Sequence, residues 1–330
     1  MIDYLKGIGK IKIWKLKYNN KKIKNKKKYI ILLNLSIILI SYVYCVYKLN
    51  IPPEKLFKKI KIHSKFETLN ELIIHNKSIS RFGDGELTLI NGEGNLFQDC
   101  SKLISKKLIK ILRSNQKNLL IGINIPYTNK SLERYTDIVK NYYFKLINKK
   151  KFLIFKLLKK NKEYYSSDLT RFYIDFKNKT FVPNYIKTFK KLWEKKDILI
   201  IEGEKSRLGV GNDLFDNSKS IKRILCPVKN AFKVINKIIS EVINKIERKT
   251  LILLALGPTA TILAYDLHKL GYQVIDVGHI DIEYEWFLKN ATNKIIIENK
   301  YIAEINGDNN NFTEVKDKRY YKQIIAKILN

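Results

Sequence analysis

Short runs of branched aliphatic residues, each closed by glycine, proline or a knot of charge, recur from residue 66 onward. Residues 78–82, 119–123, 197–201, 221–226, 251–256 and 273–277 are too short for helices. They are apolar enough to be strands covered on both faces. Between them the spacing changes to that of helices. Leu69, Leu72 and Ile73 mark one over residues 66–75. Leu103, Ile104, Leu108 and Leu112 mark another over 101–113, and residues 260–270 form a third with Gly271 at its C-terminal cap. Residues 87–90 are expected to start a short helix, and Gly92 and Gly94 then break the chain. The stretch 251–277 is a βαβ unit, whose right-handed crossover makes its two strands parallel. Alternating strands and helices predict an α/β domain built on a mostly parallel, Rossmann-like sheet.

The chain before this domain is organised differently. Residues 1–28 are polybasic, and residues 29–47 carry no charge. Nineteen such residues suit a candidate transmembrane or membrane-interface helix, with Tyr42, Tyr44 and Tyr47 gathered at one end as interfacial aromatics. Asn34, Ser36 and Ser41 weaken the apolar run. Residues 48–65, with Pro52-Pro53, read as a linker into a domain over 66–305, followed by a basic C-terminal extension over 306–330. The formal charge of +33 attracts polyanions and anionic membranes. Residues 1–65 hold 17 Lys against Asp3 and Glu54, so the excess is concentrated in the first fifth. The charge comes mostly as Lys without a recognisable nucleic-acid motif, so no specific nucleic-acid partner is expected. Residues 139–163 form a basic amphipathic stretch, either a solvated helix face or one that rests on anionic lipid. Cys45, Cys100 and Cys226 give neither a disulfide framework nor a zinc spacing.

The candidate chemistry lies at the strand ends. Ser80-Arg81-Phe82-Gly83-Asp84-Gly85-Glu86 sets two carboxylates beside two glycines, so an extended turn could aim Asp84 and Glu86 at one divalent cation. The alternative is an ordinary turn. Arg81 is a fork for phosphate oxygens. Glu202 and Glu204 could hold a ribose hydroxyl, a metal or an acceptor proton, or could pair with Lys205 and Arg207. Those two cations could instead neutralise a diphosphate. Gly209 and Gly211 lack the third glycine of a dinucleotide fingerprint. Gly257 and Thr259 open a helix whose N-terminus could hold phosphate. His279 could be a metal ligand or a base, and Asp281 and Glu283, if extended, share a face. In parallel sheets, ligands bind beyond the carboxyl ends of the strands, where all these groups fall.

Four segments together resemble one family: Ser80–Glu86, Ile201–Asp213, Ala255–Thr261 and Gly278–Trp286 are similar to the GT-D glycosyltransferases. The resemblance covers about residues 66–305. It implies a GT-D glycosyltransferase fold and transfer of a sugar, typically glucose from UDP-glucose, onto a glycan or glycoprotein. It also implies that Asp84-Gly85-Glu86 is the family's metal-associated Asp-x-Glu motif, with Mn²⁺ the usual ion and Mg²⁺ the alternative. Asp84, Glu86 and His279 are then the metal candidates. Arg81, Glu202, Lys205, Arg207, Gly257 and Thr259 are the donor-binding candidates, and Glu204, His279 and Asp281 the candidate bases. A membrane-tethered polyanion-binding protein and a nucleotide-sugar hydrolase are the competing readings. Nucleotide sugars are made in the cytoplasm, so a membrane-associated enzyme with a cytoplasmic catalytic face is expected, although the positive-inside bias favours the opposite orientation.

Overall fold

The structure, a computed structural model, describes residues 30, 32–43, 50–126, 128–302, 305 and 312–329. The chain divides into two units, Met1–Pro52 and Pro53–Asn330. In the first, residues 32–43 are helical with exposed side chains. Among the described residues no helix is long and apolar enough to cross a membrane. Residues 29, 31 and 44–47 of the expected span, and the whole polybasic segment 1–28, lie outside the described residues.

The second unit is built on nine strands: β1 (Lys61–Ile62), β2 (Ser78–Phe82), β3 (Leu119–Ile123), β4 (Glu163–Ser166), β5 (Asp197–Gly203), β6 (Ser220–Cys226), β7 (Leu251–Ala255), β8 (Gln273–Asp276) and β9 (Ile324–Lys327). Their order is β1-β4-β3-β2-β8-β7-β5-β6-β9. The pairings are parallel throughout, from Lys61↔Glu163 at one edge to Leu225↔Lys327 at the other. Among the described residues, eleven α-helices flank the strands: α1 (Pro53–Phe57), α2 (Lys65–Ile74), α3 (Asp84–Ile90), α4 (Lys102–Leu112), α5 (Asn129–Leu132), α6 (Asp137–Leu157), α7 (Val182–Lys190), α8 (Ile235–Lys245), α9 (Pro258–Lys269), α10 (Ile280–Leu288) and α11 (Lys318–Gln323).

Strand alternation divides the core in two. Leu199 and Ile201 of β5, Ile252 and Leu254 of β7 and Phe82 of β2 face one layer, with Leu89, Ile104, Leu108, Ile147, Ile154, Ile238 and Leu263 of the helices. Ile198, Ile200, Leu251, Leu253 and Ile79 face the other, with Leu69, Tyr185, Phe189 and Trp286. Covering both faces is what allows parallel strands to be uniformly apolar.

This layering also positions the site. β2 and β8 are neighbours, yet the chain leaving β2 runs into α3 and α4 on the first face. The chain leaving β8 runs into α10 on the second. The two connections diverge, and a topological switch point of this kind is where an open α/β sheet forms its ligand crevice.

Several elements differ from their sequence reading. The helix expected from residue 87 begins at Asp84, because Gly83 serves as its N-cap and the Glu86 carboxyl folds back to accept the Gly83 amide. Residues 280–288 are helical rather than extended, so Asp281 and Glu283 do not share a strand face. Residues 53–57 and 61–62, within the expected linker, form α1 and β1. Within the expected C-terminal extension, α11 buries Tyr320 and β9 extends the sheet beside β6. Short elements at a sheet edge carry too few periodic positions to be read from pattern alone. A chain truncated after Lys316 should therefore lose at least ~3 kcal/mol of stability, from unburying Tyr320 and Ile328. It should also aggregate through the bared edge of β6. Urea melts and light scattering of the two chains would check this.

Candidate active site

Arg81 is the last inward-turned polar residue of β2, and its guanidinium is mostly buried. Nη1 donates to the Ser167 carbonyl at 2.9 Å and to Thr170 Oγ1 at 2.5 Å; Nη2 donates to Asp276 Oδ1 at 2.9 Å. One side chain thus ties the exits of β2, β4 and β8 together. Asp276 is also buried, and that burial pushes its carboxyl pKa up against the pull of Arg81. The guanidinium lies so close beneath Gly278 (φ +44°) that a Cβ there would stand 2.1 Å from Nη2. Arg81, expected as a phosphate fork, is committed to this strut.

Beyond it the two acidic residues of the Asp-Gly-Glu segment part company. Asp84 is exposed at the N-terminus of α3. Its Oδ1 accepts the Gly85 amide at 3.0 Å and its Oδ2 the hydroxyl of Tyr142, which comes from α6. Glu86 is withdrawn: Oε2 accepts the Gly83 amide at 2.7 Å, and Oε1 lies 3.4 Å from Thr261 Oγ1. The Thr261 hydroxyl also donates to the Arg81 carbonyl. Burial raises the Glu86 carboxyl to about 7; the Gly83 amide opposes this, and Asp276 and Asp84 add to it.

Among the described residues no three His, Cys, Asp or Glu side chains cluster as a metal cage. A divalent ion shared with substrate phosphates needs only one or two carboxylates. The exposed Asp84 fits that mode, whereas Glu86 reaches it only by releasing the Gly83 amide. His279 is half-buried at the N-cap of α10, where its carbonyl accepts the Glu283 amide. It sits at the exit of β8, beside the exit of β2 that carries Asp84.

The N-terminus of α9, next along the edge, is roofed over. Gly257 takes φ +51°, and a Cβ there would approach Phe97 Cβ to 3.0 Å. Thr259, 1% exposed, donates to Gln98 Oε1 at 3.3 Å. Asn95 Nδ2 reaches the Gly85 carbonyl at 3.2 Å, and Asn230 accepts the Gln98 side chain at 3.1 Å. The helix end expected to face phosphate is therefore covered by residues 95–98.

At the exit of β5 the charges divide by depth. Glu202 is fully buried, pairs with Arg223 at 2.5 Å and accepts the Leu208 amide at 2.7 Å. Asp281, 2% exposed, accepts the Gly209 amide at 2.9 Å, Asn212 at 2.8 Å and Lys300 at 2.7 Å. Lys300 is itself buried and also bonds Glu285 at 2.9 Å. These groups fasten the loop 204–212; neither Glu202 nor Asp281 can meet a ligand without breaking it. Gly209 (φ +70°) is required there, since a Cβ would fall 2.4 Å from Phe215. Glu204 is different: it is half-buried, and its carboxylate has no hydrogen bond or ion pair among the described residues. Arg207 is held at φ +51°, with Nη1 on the Asn299 carbonyl at 3.0 Å. Its Nε is buried without a partner. Lys205 stands over the Phe312 ring at 5.4 Å.

A third group, at the ends of β3 and β4, escapes the sequence reading. Buried Asp168 accepts from Asn124 at 2.5 Å, from Tyr135 and from Arg134 at 3.4 Å, while Tyr143 bonds Asn124 at 2.6 Å. These residues are scattered between residues 124 and 168, over loops, a 3-10 turn and α6, with no motif spacing, so no sequence pattern pointed toward them.

The strands β2, β8, β7 and β5 are consecutive, so Asp84 and Glu204 stand three inter-strand steps apart, about 14 Å. A mostly parallel α/β sheet that gathers acidic and basic loops at its carboxyl edge, where such sheets bind ligands, has the layout of an enzyme of the α/β class. The chain belongs to the glycosyltransferase GT-D fold family, whose model matches residues 79–305. It is similar to Glycosyltransferase GlyD of Streptococcus pneumoniae serotype 4, at 37% identity over 295 residues, which are 84% of this chain and 34% of that protein. It is similar as well to the Probable glycosyl transferase Gly of Streptococcus gordonii, at 38% identity over 274 residues, which are 82% of this chain and 39% of that one. The chain thus spans a little over a third of the length of these relatives. Among solved structures, domain of unknown function 1792, described as a distinct glycosyltransferase fold, superposes with a TM-score of 0.79 at 36% identity, covering 84% of this chain and 99% of that one. A glycosyltransferase of the same domain type from Streptococcus sanguinis gives 0.77 at 37% identity, covering 82% and 99%.

Two outcomes follow from the strut and the cap. Arg81→Met should destabilise the domain by about 3–5 kcal/mol in urea melts, because it strands the buried Asp276 carboxylate. Glu86 holds its proton more tightly folded (about 7) than unfolded (4.5), so its contribution favours folding at low pH and is lost as pH rises through that window. Glu86→Gln should therefore gain about 2–3 kcal/mol more over the parent at pH 8 than at pH 5; equal gains at both would contradict the assignment.

Proposed function

We propose that the chain transfers a hexose, glucose by its family resemblance, from a UDP-sugar to a hydroxyl of a glycan or glycoprotein, with Mn²⁺ or Mg²⁺ as the ion. The observation that supports this most is the division of the carboxyl edge into two accessible functions. Asp84 stands at the β2–β8 crevice, and Glu204, with Lys205 and Arg207, stands at the exit of β5. An extended nucleotide diphosphate sugar is long enough to touch both.

In this reading Lys205 and Arg207 neutralise the diphosphate, and the strained backbone at Arg207 holds its guanidinium in place before the donor arrives. Asp84, with Glu86 and His279 alongside, would hold the divalent ion, which when bound offsets charge on the departing diphosphate. Glu204 is the base that takes the acceptor hydroxyl's proton. Asp281 is the poorer candidate because it is buried and both its oxygens are already bonded, to the loop and to Lys300. Glu204 sits partly sheltered from water with no competing donor, so its charge remains available to the incoming hydroxyl.

The purified chain, Mn²⁺ and a panel of nucleotide sugars provide the test, read as nucleotide release and as saccharide formation. Glu204→Gln should lower kcat by about a hundredfold or more with little change in KM, whereas Asp281→Asn should act first on stability. Asp84→Asn should raise the Mn²⁺ concentration needed for half-maximal rate. Full kcat in Glu204→Gln would remove it as the base. Nucleotide release without saccharide would make the chain a hydrolase.

A further inference from the structure

The helices α4 and α6 cover one side of the sheet and share one core, into which Ile104, Leu108, Ile147 and Ile154 point. Their C-terminal ends are bonded together: Arg113 donates to the carbonyls of Leu157 at 3.1 Å and Lys156 at 2.9 Å. Their outer faces are unusual in two ways. First, residues 100–132 and 138–162 contain no Asp or Glu. Lys102, Lys106 and Lys110 of α4 and Lys145, Lys149 and Lys156 of α6 are exposed, without a carboxylate partner among the described residues. The one acid of α6, Asp137, pairs with Lys177 at 2.9 Å, and Lys107 alone on α4 meets an acid, Asp266 at 3.2 Å. A helix face that is merely solvated carries both signs, since opposite charges at i,i+4 stabilise it and like charges destabilise it. Second, large apolar side chains stand out among these lysines. Leu103 is 57% exposed, Ile138 79% and Phe144 58%.

We propose that the α4–α6 face docks on an anionic phospholipid surface, with the lysines over the headgroups and Leu103, Ile138 and Phe144 entering the interface. The absence of acid supplies charge complementarity to anionic lipid, and the protruding apolar groups supply what a dissolved polyanion has no use for. Tyr142, on the same exposed helix, bonds Asp84, so docking would bring the carboxyl edge of the sheet close to the bilayer. The docking itself is independent of the sugar chemistry.

The test is co-sedimentation of the full chain with phosphatidylcholine vesicles containing about 30% phosphatidylglycerol, and with pure phosphatidylcholine. Binding should require the anionic lipid. Charge reversal by Lys145→Glu, Lys149→Glu and Lys156→Glu together should lower the partition coefficient by about a hundredfold. Ile138→Ser with Phe144→Ser should lower it by about tenfold. The triple Lys→Arg variant, which keeps fold and charge, should bind as the parent. Unchanged binding in the charge-reversed variant would overturn the proposal and leave membrane attachment to residues 1–52. Loss of binding to a single-stranded oligonucleotide in the charge-reversed variant, with vesicle binding indifferent to Ile138 and Phe144, would overturn it in favour of a soluble polyanion.

Discussion

The buried bond between Arg81 and Asp276 is the constraint on which the site rests. β2 and β8 are adjacent, but the chains leaving them turn to opposite faces of the sheet, so their exits would splay without a cross-strut. A guanidinium can supply several directed bonds from one plane. Here it joins β2 to β8 through Asp276 and to the β4 exit through Ser167 and Thr170. The cost is two charges taken out of water, and the geometry leaves little slack: Gly278 must lack a side chain to let the guanidinium pass. The strut thereby fixes the two strand exits that carry Asp84 and His279.

A second, similar device fastens the other half of the edge. Glu202 with Arg223, and Asp281 with Asn212 and Lys300, hold the loop 204–212 from below and from the side. The polar residues thus fall into two populations: those buried and fully bonded, which shape the loops, and those partly exposed, Asp84, Glu204, Lys205 and Arg207, which face outward. Burial separates the two, not residue type.

That separation explains what the sequence could and could not show. The strands β3, β5 and β7 were legible because buried parallel strands are largely apolar runs, and β2 and β8, which carry polar residues, were placed by the turn and the βαβ pattern that they adjoin. The convergence of their polar exits follows from parallel topology alone. Which acid or cation at each exit is accessible depends on partners far away in sequence, and no local pattern encodes those. Arg81 resembles a phosphate fork until Asp276, 195 residues on, is placed against it. Asp-Gly-Glu is equally good turn chemistry and helix-start chemistry; Glu86 reaching back to Gly83 decides for the helix. The roof over α9, residues 95–98, was unreadable because its contacts are to Gly85, Asn230 and Thr259 rather than to its own neighbours.

The central claim is that the carboxyl-edge loops on either side of the Arg81–Asp276 strut form one donor site. Hydrogen–deuterium exchange of the full chain, with and without UDP and Mn²⁺, tests it most directly. Protection should appear together at residues 83–88, 203–211 and 277–281, and should need both components. Protection confined to one of these loops, or lying wholly outside them, would contradict a single site at this edge.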